Sequence, residues 1–171
     1  MSLILRAAAL ATRAHEGQKR KYSNLPYITH PARVAGRVGI IPGVTEEMVA
    51  AAYLHDVMED TSITREEIEA ETNPQVGFYV DCMTNKSKGS DLPRAERKAI
   101  DRKHLAEIPA EVKQIKALDR IDNLLDCTGA PVDFKTLYSQ ESLLLADVLG
   151  SGPLVDELRA LAQKMKESVK A

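Results

Sequence analysis

No stretch of this chain alternates polar and apolar residues with period two, while nearly every segment repeats its apolar residues at intervals of three and four. Near the start, Leu3, Ala7, Leu10 and Ala14 share one face and leave Arg6 and Arg13 off it. Near the end, Leu154, Leu158, Leu161 and Met165 form a second stripe, which serves either as core or as an interface between copies. The punctuation agrees with helices. Pro31, Pro74, Pro93 and Pro109 stand where first turns are expected, because a missing N–H costs nothing there. Thr45-Glu46-Glu47 and Asp133 open further helices, Asn73-Pro74 opens one running to about Thr84, and Thr64 followed by Glu67 has capping-box spacing. Residues 17–29 and 85–92 are irregular. Aromatic residues make up only 4% of the chain, so the core must rest on Leu, Ile, Val and Ala, which favours helix again. At 171 residues the expectation is one all-α bundle, a single domain over 1–171.

A formal net charge of −2 gives no general reason for nucleic-acid or membrane binding, so an anionic ligand would need a local basic patch or a bound cation. The two cysteines, Cys82 and Cys127, form no CxxC and read as buried thiols. Arg6 interrupts the apolar run LILRAAALA, and no basic segment precedes it, which argues against a signal peptide. Nothing is long and apolar enough to span a bilayer, and the chain reads as cytoplasmic.

The stretch AAAYLHDVMEDTSIT, residues 50–64, begins as a buried helix and then crowds His55, Asp56, Glu59 and Asp60 together. Carboxylates so placed repel one another and lose solvation near a core, and a metal ion would compensate them. His30, in PYITHP, would by itself read as a helix-entrance residue, and His55-Asp56 as a hydrogen-bonded pair. Asp119 and Asn123, in LDRIDN, are four apart and face the same way, and Asp119 alone would read as half of an ion pair. Asp122 lies on another face, where solvation or pairing with a Lys or Arg is expected. Taken in order, His…His-Asp…Asp supplies two imidazoles and two carboxylates. That set suits a divalent ion with positions left for water and substrate.

In this order the motifs resemble those of the HD-domain metal-dependent phosphohydrolases, whose signature ligands match His30, His55, Asp56 and Asp119. More narrowly, HEGQKRKYSNLPYITHPARVA, AAAYLHDVMEDTSITREEI and KALDRIDNLLD resemble the alarmone hydrolases. These are the hydrolase half of Rel/SpoT proteins and the stand-alone small hydrolases; these 171 residues hold no synthetase domain. The resemblance implies an all-helical HD domain, one manganese ion, and removal of the 3′-pyrophosphate from guanosine tetra- or pentaphosphate. It also implies roles: Glu59-Asp60 as the pair that positions and activates water, Arg20 and Lys21 as a basic pair at the nucleotide, and Asn123 at its sugar side. Arg97 and Lys98 resemble a string in the small hydrolases, and Tyr138 a tyrosine lining the pocket.

The residues support those roles independently. One more helical turn after His55 would stack Glu59 over His55 and Asp60 over Asp56. Either carboxylate could then accept a proton from water acidified by a nearby cation. A guanidinium grips phosphate in a fork and an ammonium neutralises it as a point charge, while Lys19 reads as a solvated loop residue. Lys86 and Lys88 are equally consistent with phosphate contacts and with a solvated surface. The chain departs from the bifunctional enzymes at Asp122, where they carry His, and before PYI, where they carry Ser-Gly; neither position is a ligand. Two other readings stay open: hydrolysis of another phosphorylated nucleotide, such as the 2′-phosphate of NADPH, and a non-catalytic HD module that senses a nucleotide. A two-metal cyclic-nucleotide phosphodiesterase would need more histidines than the remaining His15 and His104, which read as structural or exposed.

Overall fold

The computed structural model describes residues 1–169, and among them every regular element is an α-helix or a short 3-10 turn. Lys19 and Pro26 form one isolated β-bridge in the loop that precedes His30. By its internal contacts the chain divides into two compact units, Met1–Asn85 and the segment from Lys86 onward.

The first unit holds α1 (Leu3–Ala14), α2 (Thr29–Val38), α3 (Glu46–Leu54), α4 (Val57–Asp60), α5 (Arg65–Glu71) and α6 (Pro74–Met83). Its centre is α3, which packs against α1, α2 and α6. Ala50, Ala51, Ala52 and Leu54 are fully buried, and the three alanines let neighbouring helices approach on several sides. Burying Leu54 alone is worth about 1.5–3 kcal/mol. Local chemistry sets the helix ends. Thr45 accepts from the Met48 amide, and Thr64 and Glu67 form the reciprocal capping box expected of their spacing. Arg6 donates from Nε to the carbonyl of Glu71 at 2.8 Å, giving the end of α5 a partner from α1.

One start differs from expectation. α2 begins at Thr29 rather than Pro31, because the amides of Thr29 and His30 already bond back to the carbonyls of Pro26 and Tyr27. His30 therefore sits inside the first turn, fully buried.

The second unit holds α7 (Arg94–Glu107), α8 (Ala110–Asp126), α9 (Val132–Leu149) and α10 (Pro153–Ser168), with a 3-10 turn at Cys127–Gly129. α10 packs on α9 and α8, and α7 packs on α9. The buried face of α10 is Val155, Leu158, Ala162 and Met165, with Leu154 and Leu161 only half-buried at its margin. The stripe thus runs along a slightly different line from the expected one, and it is used as core. Between α9 and α10, Gly150 (φ 106°) and Gly152 (φ 123°) take left-handed backbone that a side chain would strain. Asp122 is buried rather than solvated, and Cys82 and Cys127 are buried thiols outside any disulfide. Among the described residues no helix is long and apolar enough to cross a membrane.

Candidate active site

In a continuous helix, adjacent side chains point about 100° apart and do not converge. The chain avoids this by ending α3 at Leu54 and restarting as the single turn α4 at Val57, which leaves His55 and Asp56 in the break. His55 Nε2 and Asp56 Oδ2 stand 3.1 Å apart. His30, delivered by α2, places its Nε2 at 3.1 Å from His55 Nε2 and 3.5 Å from Asp56 Oδ2. Both imidazoles are buried.

His55 Nδ1 lies 2.8 Å from the carbonyl of Ala52. A carbonyl only accepts, so Nδ1 carries a hydrogen, and in the neutral ring Nε2 is the nitrogen able to ligate a metal. This triangle fits one metal ion. Donors bonded at about 2.1 Å lie about 3.0 Å apart at a right-angled geometry and about 3.4 Å apart at a tetrahedral one. The observed separations fall in or close to that range. A nitrogen-nitrogen-oxygen set suits a divalent transition metal.

Two further carboxylates follow on α4. Glu59 accepts from the Asn85 amide N–H at 2.9 Å on one oxygen and from the Asn85 side-chain Nδ2 at 2.7 Å on the other. Both bonds favour the ionised form and fix the carboxylate's direction. Asp60 is exposed as a residue, yet its carboxyl is raised above the usual range, first by burial of the group and then by the charge of Asp56. The nearby Tyr27 hydroxyl, His15 and His55 oppose that rise. Tyr27 also donates to Asp56 Oδ2 at 2.6 Å, and Arg20, itself buried, lies over the Tyr27 ring at 5.4 Å. Lys21 is exposed.

Sequence reasoning missed Tyr27 and Asn85. Tyr27 stands in the quoted PYITHP string, where its neighbours drew the attention. Asn85 sits at the end of α6, with no local pattern to tie it to Glu59.

The remaining candidate residues belong to the second unit, where they gather on three helices. Asp119 on α8 is buried, pairs with Lys116 Nζ at 2.9 Å and accepts from Asn123 Nδ2 at 2.6 Å, so the i,i+4 relation is realised. Burial first, and then the charge of Arg120, hold the Lys98 amine below its usual pKa, while Asp101 acts against them. Arg97 on α7 is half-buried, with no hydrogen-bond partner at Nε. Tyr138 on α9 carries the Arg120 guanidinium over its ring at 4.5 Å, and burial pushes its pKa up to about 12, leaving it a neutral phenol. Arg94 holds Glu141 in a fork at 2.7 and 2.9 Å.

The chain is similar to several known proteins. A family model described as HD domain matches residues 7–148. A guanosine-3′,5′-bis(diphosphate) 3′-pyrophosphohydrolase MESH1 from Xenopus tropicalis is 38% identical over 127 residues, covering 73% of this chain and 69% of that protein. A probable enzyme of the same name from Synechocystis is 38% identical over 125 residues, which are 71% of this chain but 16% of that protein. Among solved structures, one described as a metazoan ortholog of SpoT that hydrolyses ppGpp superposes with a TM-score of 0.82 at 26% identity, covering 98% of this chain and 96% of that one. HD-domain hydrolases depend on a metal, and the His30–His55–Asp56 cluster is a group that could hold one. With the family match running through every motif and both units, this chain belongs to the HD-domain family of metal-dependent hydrolases.

Proposed function

We propose that this chain removes the 3′-pyrophosphate from guanosine tetra- or pentaphosphate, giving GDP or GTP and pyrophosphate, with one manganese ion as cofactor. The observation that carries this reading is the His30–His55–Asp56 triangle, followed one turn later by Glu59 held by Asn85. It occurs in a chain 38% identical to an enzyme bearing that activity in its name. The divalent ion would supply positive charge at the phosphoryl oxygens and a lowered pKa for an attacking water.

The protein's own residues do the rest. His30, His55 and Asp56 hold the ion; Asp119 is assigned as fourth ligand by its motif in α8. Glu59, ionised and fixed by Asn85, takes up the proton of the attacking water. Asp60, on the same turn, orients that water. Arg20, Lys21, Arg97 and Lys98 offset the phosphates' charge, Asn123 lies at the sugar side, and Tyr138 lines the pocket. Residues 1–171 act as one HD-type domain, a reading supported by a family match that runs unbroken across both units. A free cytoplasmic nucleotide fits a chain without a membrane-spanning helix among its described residues.

The test is incubation of purified metal-free protein with manganese and guanosine tetraphosphate. Release of GDP and pyrophosphate only on adding manganese supports the whole reading. Manganese binding without turnover keeps the metal site and redirects the search to other phosphorylated nucleotides, including NADPH. Neither binding nor turnover would make the chain a nucleotide sensor.

A further inference from the structure

We propose that Tyr27 is a positioning residue that fixes the rotation of the Asp56 carboxylate and ties this metal ligand to the nucleotide-binding Arg20. The inference rests on the metal-site reading above.

Asp56 lies in the break between α3 and α4, and its side chain remains 15% exposed. Rotation about the last bond of an aspartate is broad, so nothing in such a break would by itself aim an oxygen at the two imidazoles. The Tyr27 hydroxyl does so. It donates to Oδ2 at 2.6 Å, a short, charge-assisted bond, and Oδ2 is the same oxygen that stands 3.1 and 3.5 Å from the histidine nitrogens. A carboxylate oxygen has two lone-pair directions. With the phenol on one, the other is left for the metal.

The ring that carries this hydroxyl is held from several sides. The Tyr27 amide bonds to the carbonyl of Gln18 at 2.9 Å. The ring of His15, 3% exposed, lies 4.5 Å away at a 31° tilt, and Arg20 lies over the Tyr27 ring. His15 is oriented in turn by its Nδ1, 2.9 Å from Gln18 Oε1, which leaves Nε2 buried without a partner. That cost is accepted at a place where an aromatic ring must stand still. Tyr27 thus touches a residue assigned to the nucleotide with its face and a residue assigned to the metal with its hydroxyl.

The test compares Tyr27→Phe, which keeps the ring, with His15→Phe, which keeps the stack and the Tyr27 hydroxyl. Manganese affinity is measured by calorimetry on metal-free protein, alongside melting temperature without metal and KM with metal saturating. Loss of an outer-shell partner of a ligand lowers metal affinity about 10–100-fold. Tyr27→Phe is expected to fall in that range, with a metal-free melting temperature within about 3 °C of the unmodified protein. His15→Phe is expected to stay within about threefold in affinity, since the outer-shell hydroxyl remains. Unchanged affinity in Tyr27→Phe overturns the proposal, and so do equal losses in both variants, which would assign the effect to packing. Absence of divalent-ion binding in the unmodified protein overturns the metal-site reading, and this inference with it.

Discussion

Replacing Asn85 by Asp changes one atom of the side chain that clamps Glu59, and the consequence can be worked out. Asn85 Nδ2 stands 2.7 Å from Glu59 Oε2, and the substitution puts a carboxylate oxygen in place of that donor. Two unit charges about 3 Å apart repel by about 1.4 kcal/mol at the dielectric constant of water and about 5.5 kcal/mol at 20. Both residues are half-buried, which places the pair between these limits, at about 3 kcal/mol or roughly 2 pK units. The two carboxyls then share a proton that is taken up about 2 pH units higher than in the unmodified protein. If ionised Glu59 takes up the proton of the attacking water, the acid limb of the pH–rate profile moves up with it. With manganese saturating, the variant should run about threefold slower than the unmodified enzyme at pH 6 and recover above pH 8. Asn85→Ala is the control. It loses the Nδ2 bond but keeps the amide bond to Oε1, so its rate should fall without a shift of the limb. Superimposable profiles for Asn85→Asp and the unmodified enzyme would refute the assignment of Glu59.

The other predictions concern the metal, a cation and the core. His55→Ala removes one corner of the triangle and should abolish detectable manganese binding by calorimetry, while Asp119→Ala should weaken it at least about tenfold; unchanged affinity in the latter would take Asp119 out of the ligand set. Lys98 is held below its usual 10.5, so folding disfavours its charged form, and stability should rise with pH between the lowered value and 10.5. Phosphates arriving there would raise the amine again, so nucleotide binding in that pH window should take up protons, seen as a dependence of binding heat on buffer ionisation enthalpy. Lys98→Arg, which does not titrate, should lose that dependence, and its persistence would exclude Lys98 as the source. Gly77→Ala would place a Cβ 2.3 Å from Glu69 Cγ and force Glu69 off Arg65, to which it bonds at 2.7 Å. Overpacking of roughly 1–3 kcal/mol outweighs a helix-propensity gain of about 1 kcal/mol, so the melting temperature should fall, and a rise would contradict the packing.

Much of this was legible wherever the information is local. Thr45, Thr64 and Asn73 cap helices as their spacing predicts, because a cap is written within four residues. His55 and Asp56 drew attention because acids beside an apolar run demand a physical reason. The clamp on Glu59 was not legible, since Asn85 lies 26 residues away and an Asn after a helix is ordinary in any loop. Tyr27 reaches Asp56 across 29 residues and was hidden in the same way. The buried line of α10 was misjudged slightly because leucines at 154 and 161 have the right spacing for a stripe, while packing against α8 and α9 selects Val155 and Ala162 instead. Periodicity identifies a face; its exact centre is decided by the neighbours.

The helix that ends at His55 is buried along nearly its whole length, and its contacts with α1, α2 and α6 are the contacts that hold the first unit together. A ligand on a surface loop can be lost by local fraying, leaving the fold behind. Here His55 cannot leave its place unless α3 does, and α3 cannot leave without opening the unit. Loading with metal and folding of residues 1–85 are then linked equilibria. An ion at one hundred times its dissociation constant adds about 2.7 kcal/mol to the global stability of that unit, and its withdrawal by a chelator is felt throughout the hydrophobic core.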